Sequence, residues 1–216
     1  MLTRSRAAVL ALAGLSLAAC STVHPGSAAV VDGDSISMRT LDKTAAAYCV
    51  AIAASDRQQS GAPATSNSSI RRQAVVGLVS LVVARKLAAA EDLTIKPSAY
   101  EITSAERAQL STQYPGGDAE QLARAIEDSR EVAAIAVALA AEQTGEQPSA
   151  ANEQQLAQLG QSTILKAFAD NDVSFAPRFG LDTSGRPRAD TGSVSVAADG
   201  LEAPVDAQLP AAQRCS

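Results

Sequence analysis

Few residues of this 216-residue chain could do chemistry: three cysteines, one histidine and scattered carboxylates. A Ser-His-Asp or Cys-His site needs a histidine on a rigid element. His24 instead lies four residues after Cys20, in a short stretch that also holds Pro25 and Gly26 and is typical of a tether. The chain has no CxxC spacing, so zinc and haem ligands are lacking. We therefore expect no catalytic residue, no metal site and no cofactor.

Four weaker candidates carry no specific sign of chemistry. Residues 32–34 (DGD) lack the repeated carboxylates and closing Glu of a calcium loop, so they predict a turn. Residues 116–117 (GG) lack the Lys and the glycine spacing of a phosphate loop. The four lysines leave a Ser–Lys dyad open, although no motif indicates one. An acidic patch with two nearby arginines is interpreted as a solvated surface: Glu127, Asp128 and Glu131, with Arg124 and Arg130.

Cys20 ends a run, Leu17-Ala18-Ala19-Cys20, that resembles the lipobox of bacterial lipoproteins at all four positions. Arg4 and Arg6 precede an apolar stretch at about 7–17, which is the length of a signal h-region and too short to span a membrane. The resemblance implies a signal peptide at 1–19 and a diacylglyceryl group on the Cys20 thiol. The alternative is a plain secretory peptide with a chance cysteine.

Removal of the predicted signal leaves 197 residues, enough for one domain with a core. Loss of Arg4 and Arg6 takes the formal net charge from −5 to −7, which disfavours nucleic-acid binding. Without a polybasic segment, anchoring depends on the lipid, and two or more acyl chains such as palmitate hold a protein firmly. We therefore expect a chain anchored by its lipid to the outer face of the cell membrane.

Cys49 and Cys215 are the two remaining cysteines. An extracytoplasmic location permits a disulfide, which would join the C-terminal end to the first predicted helix. The alternative is a buried Cys49 and a free thiol near the chain end. The sequence leaves both open.

Apolar periodicity predicts a mainly α fold with about five helices, at about 38–56, 70–91, 98–113, 118–143 and 149–170. The expected N-caps are Ser37, Ser98 with Glu101 in a capping box, and Ser149. The apolar run at 74–84 lies between basic pairs and predicts a buried core helix rather than a membrane span. Two short strands, at about 28–31 and 173–176, should pair and close the domain, because single strands are unstable alone.

Composition divides the chain into four parts. The predicted signal peptide is followed by a tether at 20–27 and a helical domain at 28–182. Residues 183–216 are rich in Asp, Gly, Ser, Pro and Ala, which predicts a poorly ordered C-terminal tail.

Three short motifs make the domain resemble the N-terminal domain of SurA/PrsA-type extracytoplasmic chaperones. Residues 29–37 (AVVDGDSIS) are similar to the opening strand and turn of that family, and 93–98 (LTIKPS) to the link after its second long helix. Residues 172–180 (DVSFAPRFG) are similar to its V-x-V-x-P-R-[YF]-G ending. The resemblance covers about 28–182 and implies a helical domain that binds polypeptides.

Many members of this family insert a parvulin prolyl-isomerase domain before the closing segment. Here the gap between the fourth and fifth predicted helices is only 144–148, so no such domain fits. Parvulin sites also use histidines, and His24 is the only one in the chain. We expect no prolyl isomerase activity.

Two functions follow as expectations. The first is a lipid-anchored, chaperone-like protein whose partners are unfolded or secreted polypeptides, with the tether raising the local concentration. The second is a structural or interaction lipoprotein that docks one cell-envelope partner. Against the first, promiscuous grooves favour Met and aromatic residues, and only Met38 and six aromatic residues follow the signal. Whether the second and fourth helices form a groove is left open.

Overall fold

The computed structural model of the chain describes residues 25–58, 65–114, 117–188, 210 and 213–215. The predicted signal peptide, Cys20, His24 and most of the predicted tail lie outside these residues. The described part is mainly helical, with one small antiparallel sheet, which confirms the predicted fold class.

Five α-helices lie within the described residues, close to the predicted positions. We number them in chain order: α1 (Met38–Gln58), α2 (Asn67–Ala90), α3 (Ser104–Gln113), α4 (Ala119–Thr144) and α5 (Glu153–Asp170). As predicted, Ser37 caps α1, because its hydroxyl accepts a hydrogen bond from the Thr40 N–H at 3.0 Å. Asp118 caps α4 in the same way, through the Gln121 N–H at 3.0 Å.

The sheet has three strands rather than the two predicted. They are β1 (Ser27–Val31), β2 (Asp34–Ser37) and β3 (Val173–Phe175), in the order β2-β1-β3. The pairing of the two predicted strands is confirmed, with Val31 opposite Val173 and Ala29 opposite Phe175. The additional strand, β2, forms a hairpin with β1.

A tight turn at Asp32 and Gly33 makes this hairpin. Both residues have positive φ, 49° and 87°, as a type I′ hairpin turn requires. The prediction of a turn here was correct but stopped short of the strand that follows it. Ile36 is the only buried residue of β2, so the strand lacks the apolar run by which the other two strands were recognised.

The predicted start of the third helix at Ser98 was wrong. A 3₁₀ turn occupies Pro97–Ala99, and α3 begins after Thr103. Thr103 forms the capping box with Glu106: its hydroxyl accepts from the Glu106 N–H at 3.1 Å, and the Glu106 carboxylate accepts from the Thr103 N–H at 2.7 Å. The same S/T-x-x-E signature occurs at Ser98 and at Thr103. The N–H of buried Ile102 donates to the Glu127 carboxylate on α4, and this long-range contact holds the chain extended just before Thr103.

The fifth helix also begins later than predicted, at Glu153 instead of Ser149. The Ser149 carbonyl accepts hydrogen bonds from the Asn152 and Glu153 N–H groups, so Ser149 opens a turn. Its own hydroxyl is engaged with the Asn152 side chain at 2.9 Å and does not cap the helix.

The most apolar helix, α2, is central to the fold and packs against α1, α4, α5 and β1. Val75, Val79 and Val83 are fully buried along it. It has 24 residues and contains an 18-residue stretch with a mean hydropathy of 1.6, and it is the one helix among the described residues long and apolar enough to cross a membrane. The core of a water-soluble domain produces the same pattern, and here the helix contributes its apolar side chains to that core.

Candidate functional site

Cys49 on α1 and Cys215 form a disulfide, with their Cα atoms 5.1 Å apart. The C-terminal end lies beside the start of α2, where the Cys215 N–H donates to the Thr65 carbonyl at 2.9 Å. Ser66 and Arg214 form an isolated antiparallel bridge at the same place. The structure therefore has the first of the two cysteine arrangements left open by the sequence.

A groove of about 1000 Å³ lies between α4, α5 and the segment before α3. It does not lie between α2 and α4, the two helices considered from the sequence. Their apolar faces are buried together, with Val79 and Val83 of α2 and Ile135 of α4 in one core. We call this cavity the α4/α5 groove.

Small and apolar side chains form most of this groove. None of the lining residues, all of which are described, is a methionine or an aromatic residue. The apolar lining consists of Ile95, Ala99, Ala133, Ala134, Val137, Ala138, Pro148, Ala150 and Ala157. The four charged lining residues are Lys96, Glu101, Arg130 and Glu153. The groove thus combines an alanine-rich apolar surface with a few charges of both signs.

Gly160 sets the separation of the two helices that form the groove. A Cβ atom on Gly160 would lie 1.8 Å from the Ala136 carbonyl oxygen and 2.7 Å from the Ala136 Cα. Only glycine therefore allows the α5 backbone to rest on α4 here. The sequence does not single out Gly160, because a glycine within a helix pattern does not indicate which backbone it approaches.

Arg130 is held at the groove by an ion pair with Glu106 of α3, 2.8 Å long. This Arg130 bond and the hydrogen bonds from Thr103 lower the pKa of Glu106 from 4.5 to about 2. The groove therefore keeps a positioned cation at neutral pH.

The acidic patch of α4 is not the simple solvated surface predicted. Glu127 pairs with Arg107 of α3 at 2.9 Å, and Glu131 receives two hydrogen bonds from Arg85 of α2. These partners lie on other helices, whereas the sequence suggested the neighbouring arginines of α4.

Asp128 differs from its neighbours because it has no ion pair and no hydrogen bond within the described residues. It lies between α1, α2 and α4 and lines a second cavity of about 210 Å³. Burial raises the pKa of its carboxyl, an effect opposed by the charge of Arg85. No signal in the sequence separates this carboxylate from Glu127 and Glu131.

Among the described residues, no group of three or more His, Cys, Asp or Glu side chains is placed to hold a metal ion. No family model, no curated protein and no solved structure matches this chain. Functional assignment therefore depends on the chain's own residues and geometry.

Proposed function

We propose that this protein is a lipoprotein, anchored through Cys20 to the outer face of the cell membrane, that binds unfolded or secreted polypeptides in a chaperone-like way. The α4/α5 groove is the observation that carries the proposal. At about 1000 Å³ it lies at the upper end of the range for small-molecule pockets, roughly 300–1000 Å³. A groove of this size that is open to solvent suits a segment of polypeptide.

The groove chemistry supports the same interpretation. Ala134, Val137 and Ala138 offer an apolar surface, so apolar side chains of a client would lose contact with water there. Lys96 and Glu153 place opposite charges at the groove, available to polar groups of many sequences. Each contact of this kind is weak. The membrane tether offsets the low affinity, because it raises the effective concentration of the groove near emerging chains.

Filling the groove tests the proposal. Ala134→Glu places a long charged side chain on the apolar surface and should abolish suppression of aggregation of reduced, unfolding lysozyme. Ala46→Glu is the matched control, because Ala46 is exposed on α1 and away from the groove. The wild type and Ala46→Glu should suppress aggregation equally at several-fold excess. Failure of the wild type to suppress it, or equal activity of Ala134→Glu, contradicts the proposal.

A second candidate is an interaction lipoprotein that docks one defined envelope partner. The alanine-rich groove favours it, because adaptable binding surfaces rely on Met and aromatic side chains that are lacking here. Crosslinking in cells followed by purification separates the two candidates. Many crosslinked proteins support the chaperone, and one dominant protein supports the docking module.

The proposal includes no prolyl isomerase activity, in keeping with the short connection between α4 and α5. We expect no acceleration of a proline-limited refolding reaction. The anchor has its own test, metabolic labelling with palmitate. Wild type should be labelled and Cys20→Ser should not, and equal labelling would remove the anchor from the proposal.

A further inference from the structure

The two ends of the small sheet differ in charge. At one end, which we call the turn end, Asp32 and Asp34 are paired with Lys86 at 3.3 and 3.0 Å. Asp172 joins them there, because the Asp32 N–H donates to the Asp172 carbonyl at 3.0 Å. At the opposite end β1 begins at Ser27, directly after the predicted tether. We call this the tether end.

Two backbone hydrogen bonds bring separate segments to the tether end. The Met38 N–H donates to the Gly26 carbonyl at 2.8 Å, so α1 starts beside the tether. The Ala176 N–H donates to the Ala28 carbonyl at 2.9 Å, so the chain that leaves β3 runs past the same place. Both segments carry cations soon after these contacts.

The segment that follows β3 is compact. Its 3₁₀ turn at Pro177–Phe179 packs against α2. The Arg188 N–H donates to the Gly180 carbonyl at 2.8 Å, which returns the chain to the end of this turn. Arg178, Arg186 and Arg188 therefore belong to one folded segment beside the tether end.

Five exposed cations surround the tether end, and we call them the basic patch: Arg39 and Lys43 of α1 with Arg178, Arg186 and Arg188. None of the five forms an ion pair with a residue that the structure describes. The sequence shows no polybasic segment, because these residues are spread from position 39 to position 188. Only the fold gathers them.

Few carboxylates near the basic patch are free to neutralise it. Asp42 and Glu127 are paired with arginines of other helices, at 2.6 and 2.9 Å. Asp128 shares a cavity with the two cations of α1. The Asp182 carboxylate accepts hydrogen bonds from N–H groups of its own loop and lies near Arg186. The cations therefore outnumber the unpaired carboxylates at this end.

The tether limits how far the basic patch can lie from a lipid on Cys20. Six residues separate Cys20 from Gly26, and at 3.3–3.6 Å each they reach at most about 20 Å. β1 rises about 3.3 Å per residue, so the acidic turn end lies about 13 Å beyond the tether end. At 0.1 M salt the screening length is about 10 Å, so charges at the two ends act largely independently.

We propose that the basic patch is a docking surface for the headgroups of anionic phospholipids, which turns the tether end of the domain towards the membrane. The inference rests on the proposed anchor at Cys20 for the place of the membrane. The attraction itself depends on the patch alone. Each Lys or Arg near an anionic lipid surface strengthens binding about fivefold.

Binding to vesicles tests the patch without the anchor. The protein is the chain from residue 20 to residue 216 with Cys20→Ser, which retains every residue that the structure describes and carries no lipid. It should sediment at 0.1 M salt with vesicles of equal parts phosphatidylglycerol and phosphatidylcholine, and not with vesicles of phosphatidylcholine alone. Binding should be lost at 1 M salt, where the screening length is about 3 Å.

Variants locate the attraction. Arg178→Gln should weaken binding about fivefold, and Arg39→Gln together with Arg178→Gln about 25-fold. Lys166→Gln is the matched control, because Lys166 is also exposed and without an ion pair among the described residues, but lies on the last turns of α5, which lead to the turn end. It should change binding less than twofold.

Three results would overturn the proposal: no binding to the anionic vesicles, equal binding to the neutral ones, or equal weakening by Lys166→Gln and Arg178→Gln. Failure of the anchor is seen separately, because palmitate labelling reports on Cys20 and the vesicle assay reports on the unlipidated chain.

Discussion

Replacing Gly160 by alanine has two opposing effects on the stability of the protein, and they differ in size. Alanine is a better helix former than glycine by about 0.8–1.0 kcal/mol, so in an open helix the change would stabilise the protein. At Gly160 the new methyl carbon would lie 1.8 Å from the Ala136 carbonyl oxygen. Ordinary contact begins at 3.4 Å, so α4 and α5 must move apart by about 1.6 Å locally.

The free-energy cost of this crowding should exceed the gain from the higher helix propensity of alanine. Overpacking costs about 1–3 kcal/mol, and the upper end applies here because the atoms in the way belong to the α4 backbone and cannot change rotamer. Subtraction of the propensity gain leaves a net loss of about 2 kcal/mol in the free energy of unfolding. For a chain of this size that corresponds to a fall in Tm of about 4–8 °C.

Urea unfolding followed by circular dichroism at pH 7, with the disulfide intact, measures this difference. Gly77→Ala is the matched control, also a glycine within a helix, where the methyl group would meet only the end of the Tyr48 side chain at 3.2 Å. It should change stability by between zero and about 1 kcal/mol, in the stabilising direction. A Gly160→Ala protein as stable as the wild type would refute the close approach of α4 and α5.

Three further predictions concern charge and the disulfide. Asp128→Asn should raise the free energy of unfolding measured by urea titration at pH 7. Burial raises the pKa of the Asp128 carboxyl, so its ionisation at pH 7 costs stability, and a less stable variant contradicts this. Glu106, with its pKa lowered to about 2 chiefly by Arg130, contributes stability that is complete above pH 4.5 and lost as the pH falls towards 2. In an acid titration, the free energy of unfolding of Glu106→Gln should therefore decline less than that of the wild type, and an equal decline contradicts this. Replacing Cys49 and Cys215 by alanine removes a link between residues 166 positions apart. The free energy of unfolding should fall by about 5 kcal/mol according to chain entropy, or by about 2–4 kcal/mol according to typical measured values. Free-thiol counting on the unreduced wild type should find neither cysteine reactive.

The positions of the helices could be predicted because each contains a long periodic or continuous apolar pattern. The starts of α3 and α5 could not, for a physical reason. Two capping signatures lie five residues apart, at Ser98 and Thr103, and local chemistry alone does not rank them. The contact between the Ile102 N–H and Glu127, 25 residues away, favours the second.

The candidate sites depend still more on contacts between distant segments. The alanines on α4 and α5 resemble ordinary helix formers in the sequence, and they line a groove only because Gly160 brings the two backbones together. Asp128 belongs to the same acidic stretch as Glu127 and Glu131, and the local sequence does not indicate which of the three carboxylates lacks an arginine partner. Only the positions of Arg85 and Arg107 on other helices leave it as the carboxylate without a partner.

The sequence by itself determined the mainly α class, the approximate positions of the five helices and the pairing of 28–31 with 173–176. The class and the helix positions follow from hydrophobic periodicity, which can be recognised locally. The pairing follows from the instability of a single strand, because the sequence shows only two apolar strand segments. The tertiary structure alone decided the edge strand β2, the capping box that is used, the place of the groove and the isolation of Asp128. The strand β2 contains only one buried residue, so its sequence has no apolar pattern to mark it. The other three features depend on which groups from distant parts of the chain meet in space, and the local pattern around a residue does not encode its long-range partners.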